Sequence, residues 1–365
     1  MRKNNIEEQY LDLLKEVLAS GTRKDDRTGT GTISLFGKQI RHDMSLGFPA
    51  ITTKKLAFKT MATELTWFLR GDTSIKYLVD RNCHVWDGDA YKAFCDSHTT
   101  AGNPNGKALA EQLNSVVPIG HSLKSFIEEI KNNNEFAKKW ANLGKIYGHS
   151  WRNWNGQLGN NEGIDQIKDV VLGLKSNPDS RRLLVSAWNP TDVKDDNTVL
   201  PPCHYGFQLY TRKLNQKERY DIWFKQNYET GLEYNPDNTP DYDYEMYEPT
   251  PTRAISLMWN QRSADLALGI PFNIASYALL LEVVAKEVGM IPDELIGTIG
   301  DAHIYSDHVD GVKTQLQREP LELPRLEIND NVKWKTGDVL PYYQTSDFKL
   351  VGYQSHPKIK FPLSN

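Results

Sequence analysis

Apolar residues recur at helical spacing in four segments of the chain. Residues 6–18 carry one apolar face that ends at a serine-glycine pair, and residues 58–69 are strongly apolar and carry one acid, Glu64. A third amphipathic segment covers 164–174, and residues 274–288 are apolar nearly all round, which is typical of a central, buried helix. These patterns predict the main helices of the body.

Short runs of β-branched and aromatic residues predict the strands, at 33–36, 183–187, 207–211, 254–259 and 348–353. Strands and helices in this mixed order predict an α+β (α/β) fold, with one large mixed β-sheet flanked by helices. No linker separates two parts of the sequence. We therefore expect a single domain that spans the whole chain.

Two segments interrupt this pattern, and we interpret both as insertions into a more compact body. Residues 88–142 are rich in Asn, Lys, Gly and Ser, with a helix-like piece at 123–140. Residues 214–252 are rich in Tyr, Asp and Pro, and the part 226–252 holds seven acids without Lys or Arg. Such a composition favours a solvated loop or a flap.

The composition narrows the class of protein. Of 365 residues 39% are hydrophobic, enough for a substantial core, and a net charge of -4 gives no general basic field for nucleic acid. Three cysteines (Cys83, Cys95 and Cys203), without zinc-ligand spacing, argue against a disulfide scaffold, a metal site and an oxidising compartment. The N-terminus is polar, and no apolar run approaches the ~18 residues that a membrane span needs. These two features predict a cytoplasmic protein.

The first candidate for chemistry is Cys203-His204, which follows Pro201-Pro202 directly. A cysteine is a strong nucleophile once deprotonated, and adjacent positive charge lowers the pKa of its thiol. The simplest alternative is a buried structural cysteine. The two prolines place Cys203 where a loop meets a predicted strand, and this position favours a catalytic role.

Four arginines predict an anion site. Arg181-Arg182 lies at a predicted helix-to-strand junction, and Arg27 and Arg262 each lie beside a hydroxyl-bearing residue. Guanidinium groups bind phosphate through paired hydrogen bonds, although an exposed arginine pair is often only a solvated surface. No triphosphate-binding loop is present, so the pattern indicates a dianionic phosphate rather than a triphosphate.

Further polar positions add to this pattern. Glu64, among apolar neighbours, would be desolvated, which raises the pKa of a carboxyl toward the range of general acid–base catalysis; otherwise it pairs with a neighbour. Asn273 could read a base edge through its amide, or cap the helix that follows. His303 and Tyr305 supply two hydrogen-bonding groups on one face of an extended segment.

Together these residues resemble the folate-dependent thymidylate synthase family. The matching segments are 26–36, 48–55, 64–73, 85–87, 144–152, 179–189, 200–208, 261–277 and 300–308. Outside the two insertions, the resemblance covers nearly the whole chain. It implies a thymidylate-synthase-like fold, a homodimer, dUMP and 5,10-methylenetetrahydrofolate as substrates, no metal and no obligatory nucleic acid. The amide of Asn273 suits uracil rather than cytosine.

The resemblance also implies roles for single residues. Cys203 adds to C6 of dUMP and so turns C5 into an enolate-like carbon, while Glu64, Tyr147, His204 and Asp265 assist. The residues implied for dUMP are Arg27, Gln261, Arg262, Ser263, Asn273, His303, Tyr305 and, reaching across the dimer, Arg181 and Arg182. The residues implied for the folate are Lys54, Trp86, Asp89, Leu200, Asp265, Leu268, Gly269 and Phe272.

This chain departs from the family pattern at several positions. Asp89 lies where synthases usually have Trp or Asn, Lys145 and Ser150 replace Pro and Gln, and the chain ends in polar Ser364-Asn365. A polar tail leaves room for water in a site that a synthase closes. The alternatives are a dUMP hydroxymethylase, in which water adds to the C5 methylene, and a non-catalytic nucleotide- or RNA-binding relative, which the intact catalytic residues disfavour.

Overall fold

Six strands form one mixed sheet, which confirms the predicted architecture. The computed structural model describes residues 5–25, 29–100, 122–160, 162–194, 198–227 and 250–362. The strands are β1 Thr22–Lys24, β2 Thr32–Asp43, β3 Leu184–Ser186, β4 His204–Lys213, β5 Arg253–Asp265 and β6 Ile291–Tyr305. They lie in the order β1-β2-β6-β5-β4-β3, in which β5 and β6 are parallel and the other neighbours antiparallel.

Helices flank this sheet. They are α1 Asn5–Ser20, α2 Phe58–Leu69, α3 Lys76–Val79, α4 Asp87–Thr100, α5 Leu123–Asn132, α6 Asn134–Trp140, α7 Tyr147–Arg152, α8 Gln166–Ser176, α9 Pro190–Lys194, α10 Gln216–Asn227, α11 Gly269–Val288 and α12 Val309–Gln315. A separate two-stranded sheet pairs β7 Arg325–Ile328 with β8 Phe348–Val351. The strand predicted at 348–353 belongs to this second sheet.

Helix α11 connects the two parallel strands and packs on both. Parallel neighbours need such a crossover connection, and its residues are buried over most of the surface. By length and composition alone it could cross a membrane, but 72% of its most apolar window is buried inside the protein. It is therefore the central core helix that its continuous apolar pattern predicts.

Some element boundaries differ from the sequence predictions. The helix predicted from 164 begins at Gln166, because the Asp165 side chain accepts from the Lys168 N–H and caps it. Ile164 instead forms a bridge with Trp154 and is 55% exposed. Strand β6, with its Pro, Gly and acids, has a weak strand pattern and is fixed by pairing on both sides.

The described parts of the predicted first insertion, 88–100 and 122–142, pack on one another. Helices α4, α5 and α6 meet through Phe94, Phe126, Phe136 and Trp140, with ring centroids 5.0–5.8 Å apart. Contacts between these aromatic rings, which the polar composition of the segment does not reveal, hold its described helices together. The predicted second insertion begins as helix α10, and residues 228–249 of the loop or flap predicted at 226–252 lie outside the described residues.

Strand pairing brings the candidate site residues to one end of the sheet. His204 pairs with Gln261, and Asp265 pairs with His303. The amino end of β4 therefore lies beside the carboxyl ends of β5 and β6, where α11 also begins. Segments that are far apart along the chain thus converge at this end.

Candidate active site

Cys203 lies at the junction of a loop with β4. Its N–H donates to the Tyr147 hydroxyl at 2.9 Å, and its carbonyl accepts from the Arg262 N–H at 2.8 Å. Between His204 and Gly206 the register with β5 shifts, as at a β-bulge. Bulges re-aim side chains at the end of a strand, and here the backbone on both sides of the sulfur is held in place.

The Arg262 guanidinium supplies positive charge beside this thiol. Its Nη2 lies 3.9 Å from the Cys203 Sγ, and Nε and Nη2 donate to the carbonyls of Pro202 and Pro201 at 2.9 and 3.0 Å. Burial raises the pKa of the Cys203 thiol, Arg262 lowers it, and Asp89 raises it further. The resting sulfur is a thiol, and the arginine is placed to stabilise the thiolate.

His204 is neutral and belongs to a buried aromatic layer. Burial lowers the pKa of its imidazole to about 3. The ring stacks on Tyr147 with centroids 4.0 Å apart, and its Nδ1 lies 2.7 Å from the Tyr277 hydroxyl. The positive charge beside Cys203 therefore comes from Arg262 and not from the adjacent histidine.

Glu64 projects from α2 into apolar surroundings. Its Oε1 accepts from the Trp86 indole N–H at 2.8 Å, and the Trp86 ring lies 6.3 Å from Tyr147. Burial raises the pKa of the Glu64 carboxyl to about 7, and the hydrogen bond from Trp86 opposes this only in part. A carboxyl that titrates near neutrality can donate and accept a proton under ordinary conditions.

Asn273 lies inside α11 and does not cap it. The helix begins at Gly269, and Leu268 occupies the cap position without a side-chain hydrogen bond. The Asn273 Oδ1 accepts from Gln261 Nε2 at 3.1 Å, and the same nitrogen donates to the Ser263 carbonyl at 3.0 Å. The start of the helix thus holds this amide over the end of β5.

Asp265 ends β5 and fixes the turn into α11. Its Oδ1 accepts from the N–H groups of Ala267 and Leu268 at 2.9 and 3.1 Å. The other oxygen, Oδ2, makes no hydrogen bond within the part of the chain that the structure describes. Gly269 and Phe272 follow in the first turn of the helix, so the implied folate residues of this segment lie together.

The end of the described chain reaches this turn through His308. Its Nε2 lies 2.8 Å from the Pro362 carbonyl, which can only accept, so Nε2 carries a proton. Its Nδ1 lies 3.6 Å from Asp265 Oδ1, and its ring is 5.0 Å from that of Phe361. The polar tail at 363–365 lies outside the described residues.

Lys54 reaches the same turn, and its Nζ lies 4.8 Å from the centroid of the Phe361 ring. It is 7% exposed, and its ammonium donates to the Ala267 carbonyl. Burial lowers the pKa of Lys54 to about 8. Glu7, buried on α1, accepts from the N–H groups of Thr52 and Thr53 and so holds the segment that carries Lys54.

His303 and Tyr305 lie at the end of β6. Being two residues apart on a strand, they face the same side, and their rings meet at 5.1 Å. The His303 Nδ1 lies 3.2 Å from Asp301 Oδ1, and Asp301 pairs with Ser263 on β5. Two hydrogen-bonding side chains and a serine hydroxyl therefore come together at this end of the sheet.

Arg181 and Arg182 are exposed at the predicted junction, between α8 and β3. The sheet face beside them is uncovered within the described part of this chain. It exposes Leu184 by 51% and Tyr210 by 65%, two apolar positions that face the same side. Arg27 lies outside the described residues.

A cleft of about 1280 Å³ opens beside the Cys203 loop. Asp89 on α4 lies in one wall, and Leu200 and Pro201 lie in the other. Lys145, a departure from the family pattern, pairs with Asp192 at 3.1 Å. The first insertion thus supplies part of the site's wall.

The comparison with protein families decides which family this site belongs to. A family model described as thymidylate synthase matches residues 8–365. The chain belongs to the thymidylate synthase family. Enzymes of this family transfer a one-carbon unit from methylenetetrahydrofolate to dUMP. In the described ranges, no group of three or more His, Cys, Asp or Glu side chains is arranged to hold a metal ion.

In this thymidylate synthase family member, three residues near the site carry no role in the sequence analysis. The apolar ring of Tyr277 predicts a core position, but its hydroxyl forms a hydrogen bond with His204 Nδ1. Glu7 is detectable as an acid beside the apolar face of α1. His308 gives no signal in the sequence, since its contacts are with Asp265 and the distant C-terminal segment.

Proposed function

We propose that this protein makes dTMP. It transfers a one-carbon unit from 5,10-methylenetetrahydrofolate to C5 of dUMP through a covalent Cys203 adduct and reduces that carbon to a methyl group. The observation that carries the proposal is the Cys203 thiol, with a guanidinium 3.9 Å from its sulfur, at the strand end that also holds Asn273. Within the family, this arrangement fits nucleophilic attack on an electron-poor pyrimidine.

The first step forms a bond between the Cys203 sulfur and C6 of the ring. The thiol gives up its proton through water to the Glu64 carboxylate, Arg262 stabilises the thiolate, and the electrons of the C5–C6 double bond move toward C5 and O4. The Asn273 amide faces the developing negative charge on O4, where fixed hydrogen-bond donors are most effective. Phosphate binding by Arg262 and Ser263, and ribose binding by His303 and Tyr305, would hold the ring in register.

Glu64 is the general acid and base of the proposal. With a pKa of about 7, it exists in both protonation states under ordinary conditions. It can protonate O4 through water in the first step and later help to remove the C5 proton. Tyr147 holds the backbone of Cys203, and neutral His204 supports that tyrosine by stacking.

The folate side of the site suits a flat heteroaromatic ring. Trp86 offers an aromatic wall, Leu200 and Phe272 offer apolar surface, and Asp265 offers its Oδ2, which makes no hydrogen bond to the described residues. Lys54, whose ammonium lies at the same turn, suits an anionic group of the ligand. The bound folate supplies both the one-carbon unit and the hydride.

We also propose a homodimer in which Arg181 and Arg182 reach the phosphate of the partner's dUMP. Their exposure next to the uncovered face with Leu184 and Tyr210 supports this. A Cys203→Ala protomer and an Arg181→Ala protomer are then each inactive alone. After mixing and subunit exchange, activity should reappear in the mixed dimer; no recovery would contradict the shared site.

A second candidate, dUMP hydroxymethylation, is favoured by Asp89. This carboxylate lies in the cleft wall and acts on the Cys203 thiol strongly enough to raise its pKa. A hydrated acid at that position keeps water near the exocyclic methylene, whereas a tryptophan would exclude it. Water addition would then replace reduction as the last step.

Release of tritium from dUMP labelled at C5 tests the shared chemistry of both candidates. With methylenetetrahydrofolate present, the protein should release tritium to water, and Cys203→Ala should not. A protein that binds dUMP but releases no tritium is not a C5 transferase. The ratio of dihydrofolate formed to tritium released then separates the candidates, being near unity for reduction and near zero for hydration.

A further inference from the structure

Trp259, in the middle of β5, is buried completely and held in one position. Its ring stacks parallel to that of Tyr277, with centroids 5.4 Å apart. Opposite it on β6 lies Gly297, where a Cβ would come within 2.3 Å of the indole ring. Only glycine leaves room for this ring, so the two positions form a matched pair.

The spacing of strand and helix places this tryptophan next to the pair formed by Gln261 and the base-reading amide of Asn273. Trp259 and Gln261 are two residues apart on β5, a distance of about 6.6 Å, and Asn273 and Tyr277 are four apart on α11, about 6 Å. The near match lets Tyr277 lie over Trp259 while Asn273 lies over Gln261. Strand β5 and helix α11 are therefore in contact at two successive positions, Trp259 with Tyr277 and Gln261 with Asn273.

A chain of hydrogen bonds starts at the indole and fixes the direction of both amides. The Trp259 N–H donates to Gln261 Oε1 at 3.2 Å, and Gln261 Nε2 donates to the Ser263 carbonyl and to Asn273 Oδ1. An indole N–H can only donate and a backbone carbonyl can only accept. Gln261 must therefore donate from its side-chain nitrogen, and Asn273 must accept with its side-chain oxygen.

The consequence for the substrate is that Asn273 presents a donor. Its Nδ2 is turned away from Gln261 and is available for the oxygen O4 of uracil. Cytosine carries an amino group there, so its recognition requires the Asn273 amide to rotate. Rotation would set the Nδ2 hydrogens against those of Gln261 Nε2, and Gln261 is only 4% exposed, so the lost hydrogen bond is costly.

We propose that Trp259 is a positioning residue for base selection, which holds the Gln261 and Asn273 amides in the orientation that accepts uracil and rejects cytosine. The proposal rests on dUMP being the substrate. Without the indole N–H, Gln261 can rotate more easily, although the Ser263 carbonyl still restrains it. The loss of selectivity is therefore partial.

The test compares the dissociation constants of dUMP and dCMP by calorimetry for the parent protein, Trp259→Phe and Trp151→Phe. The Trp259→Phe change keeps an aromatic ring and removes the donor, so the preference for dUMP over dCMP should fall about tenfold. Trp151 is also buried, but its N–H has no partner in the described chain. Trp151→Phe should therefore change both affinities by the same factor.

A second variant guards against a failure of Trp259→Phe to fold. Gly297→Ala keeps the indole but displaces it, so the preference should fall in the same direction. If Trp259→Phe and Gly297→Ala weaken both nucleotides equally, the tryptophan is only structural and the proposal is wrong. If the parent protein itself binds no dUMP, the proposed function fails instead.

Discussion

Replacement of Glu64 by glutamine should stabilise the protein above neutral pH. The carboxyl has a pKa of 4.5 when unfolded and about 7 when folded, because burial disfavours its charge. The folded state then holds the proton more tightly, so stability falls as the pH rises from 4.5 to about 7 and is constant above. Glutamine keeps the acceptor for the Trp86 N–H but does not titrate.

The size of the effect follows from the pKa shift. At about 1.36 kcal/mol per pKa unit, Glu64→Gln gains about 3 kcal/mol at about pH 8 and less than about 1 kcal/mol at about pH 5. With an unfolding entropy of about 2.1 cal/mol/K per residue, the thermal midpoint should rise by about 4 °C at about pH 8 and by about 1 °C at about pH 5.

Thermal unfolding of both proteins across this pH range is the assay, with Glu135→Gln as the control. Glu135 is exposed and, among the residues that the structure describes, forms an ion pair with Lys138 alone, so its replacement should change the midpoint little at any pH. Glu64→Gln should also lose turnover by about 10²-fold or more, since the general acid is gone. An equal midpoint shift at both pH values would refute the desolvation of Glu64.

Further changes probe the other roles. Cys203→Ala should abolish turnover but retain dUMP binding by calorimetry, and residual turnover would contradict the covalent step. Asn273→Asp should shift the preference from dUMP toward dCMP, and an unchanged ratio would contradict base reading by this residue. His308 connects the C-terminal segment, through the Pro362 carbonyl, to the turn at Asp265 on the folate side. His308→Asn should therefore raise the KM for the folate and leave the dissociation constant of dUMP constant. An unchanged KM would contradict docking of the C-terminal segment at the folate side.

The sequence predicts most of the fold because local patterns and tertiary packing agree in the central elements. Helices α2 and α11 follow directly from their apolar runs, and Cys203 does lie where a loop meets the sheet. Strand β6 is the main omission, since its pairing partners, rather than its own residues, make it a strand. The packing of the first insertion likewise depends on aromatic rings that are far apart in sequence.

The candidate site divides in the same way. Residue types predict the thiol, the guanidinium and the buried acid, because the chemistry of each is local. What the sequence leaves open is which group acts on which. Arg262, and not adjacent His204, provides the charge beside Cys203, because burial keeps the imidazole neutral. The donor and acceptor roles in the hydrogen bonds that link Trp259, Gln261 and Asn273 depend on contacts between a strand and a helix.

Product analysis is the most direct test of the central claim. The protein is incubated with dUMP and methylenetetrahydrofolate. Mass spectrometry identifies the nucleotide product, and absorbance follows the formation of dihydrofolate. The account predicts dTMP with an equal amount of dihydrofolate. 5-Hydroxymethyl-dUMP with unoxidised tetrahydrofolate would contradict reductive methylation and identify hydration, with Asp89 as the first position to change.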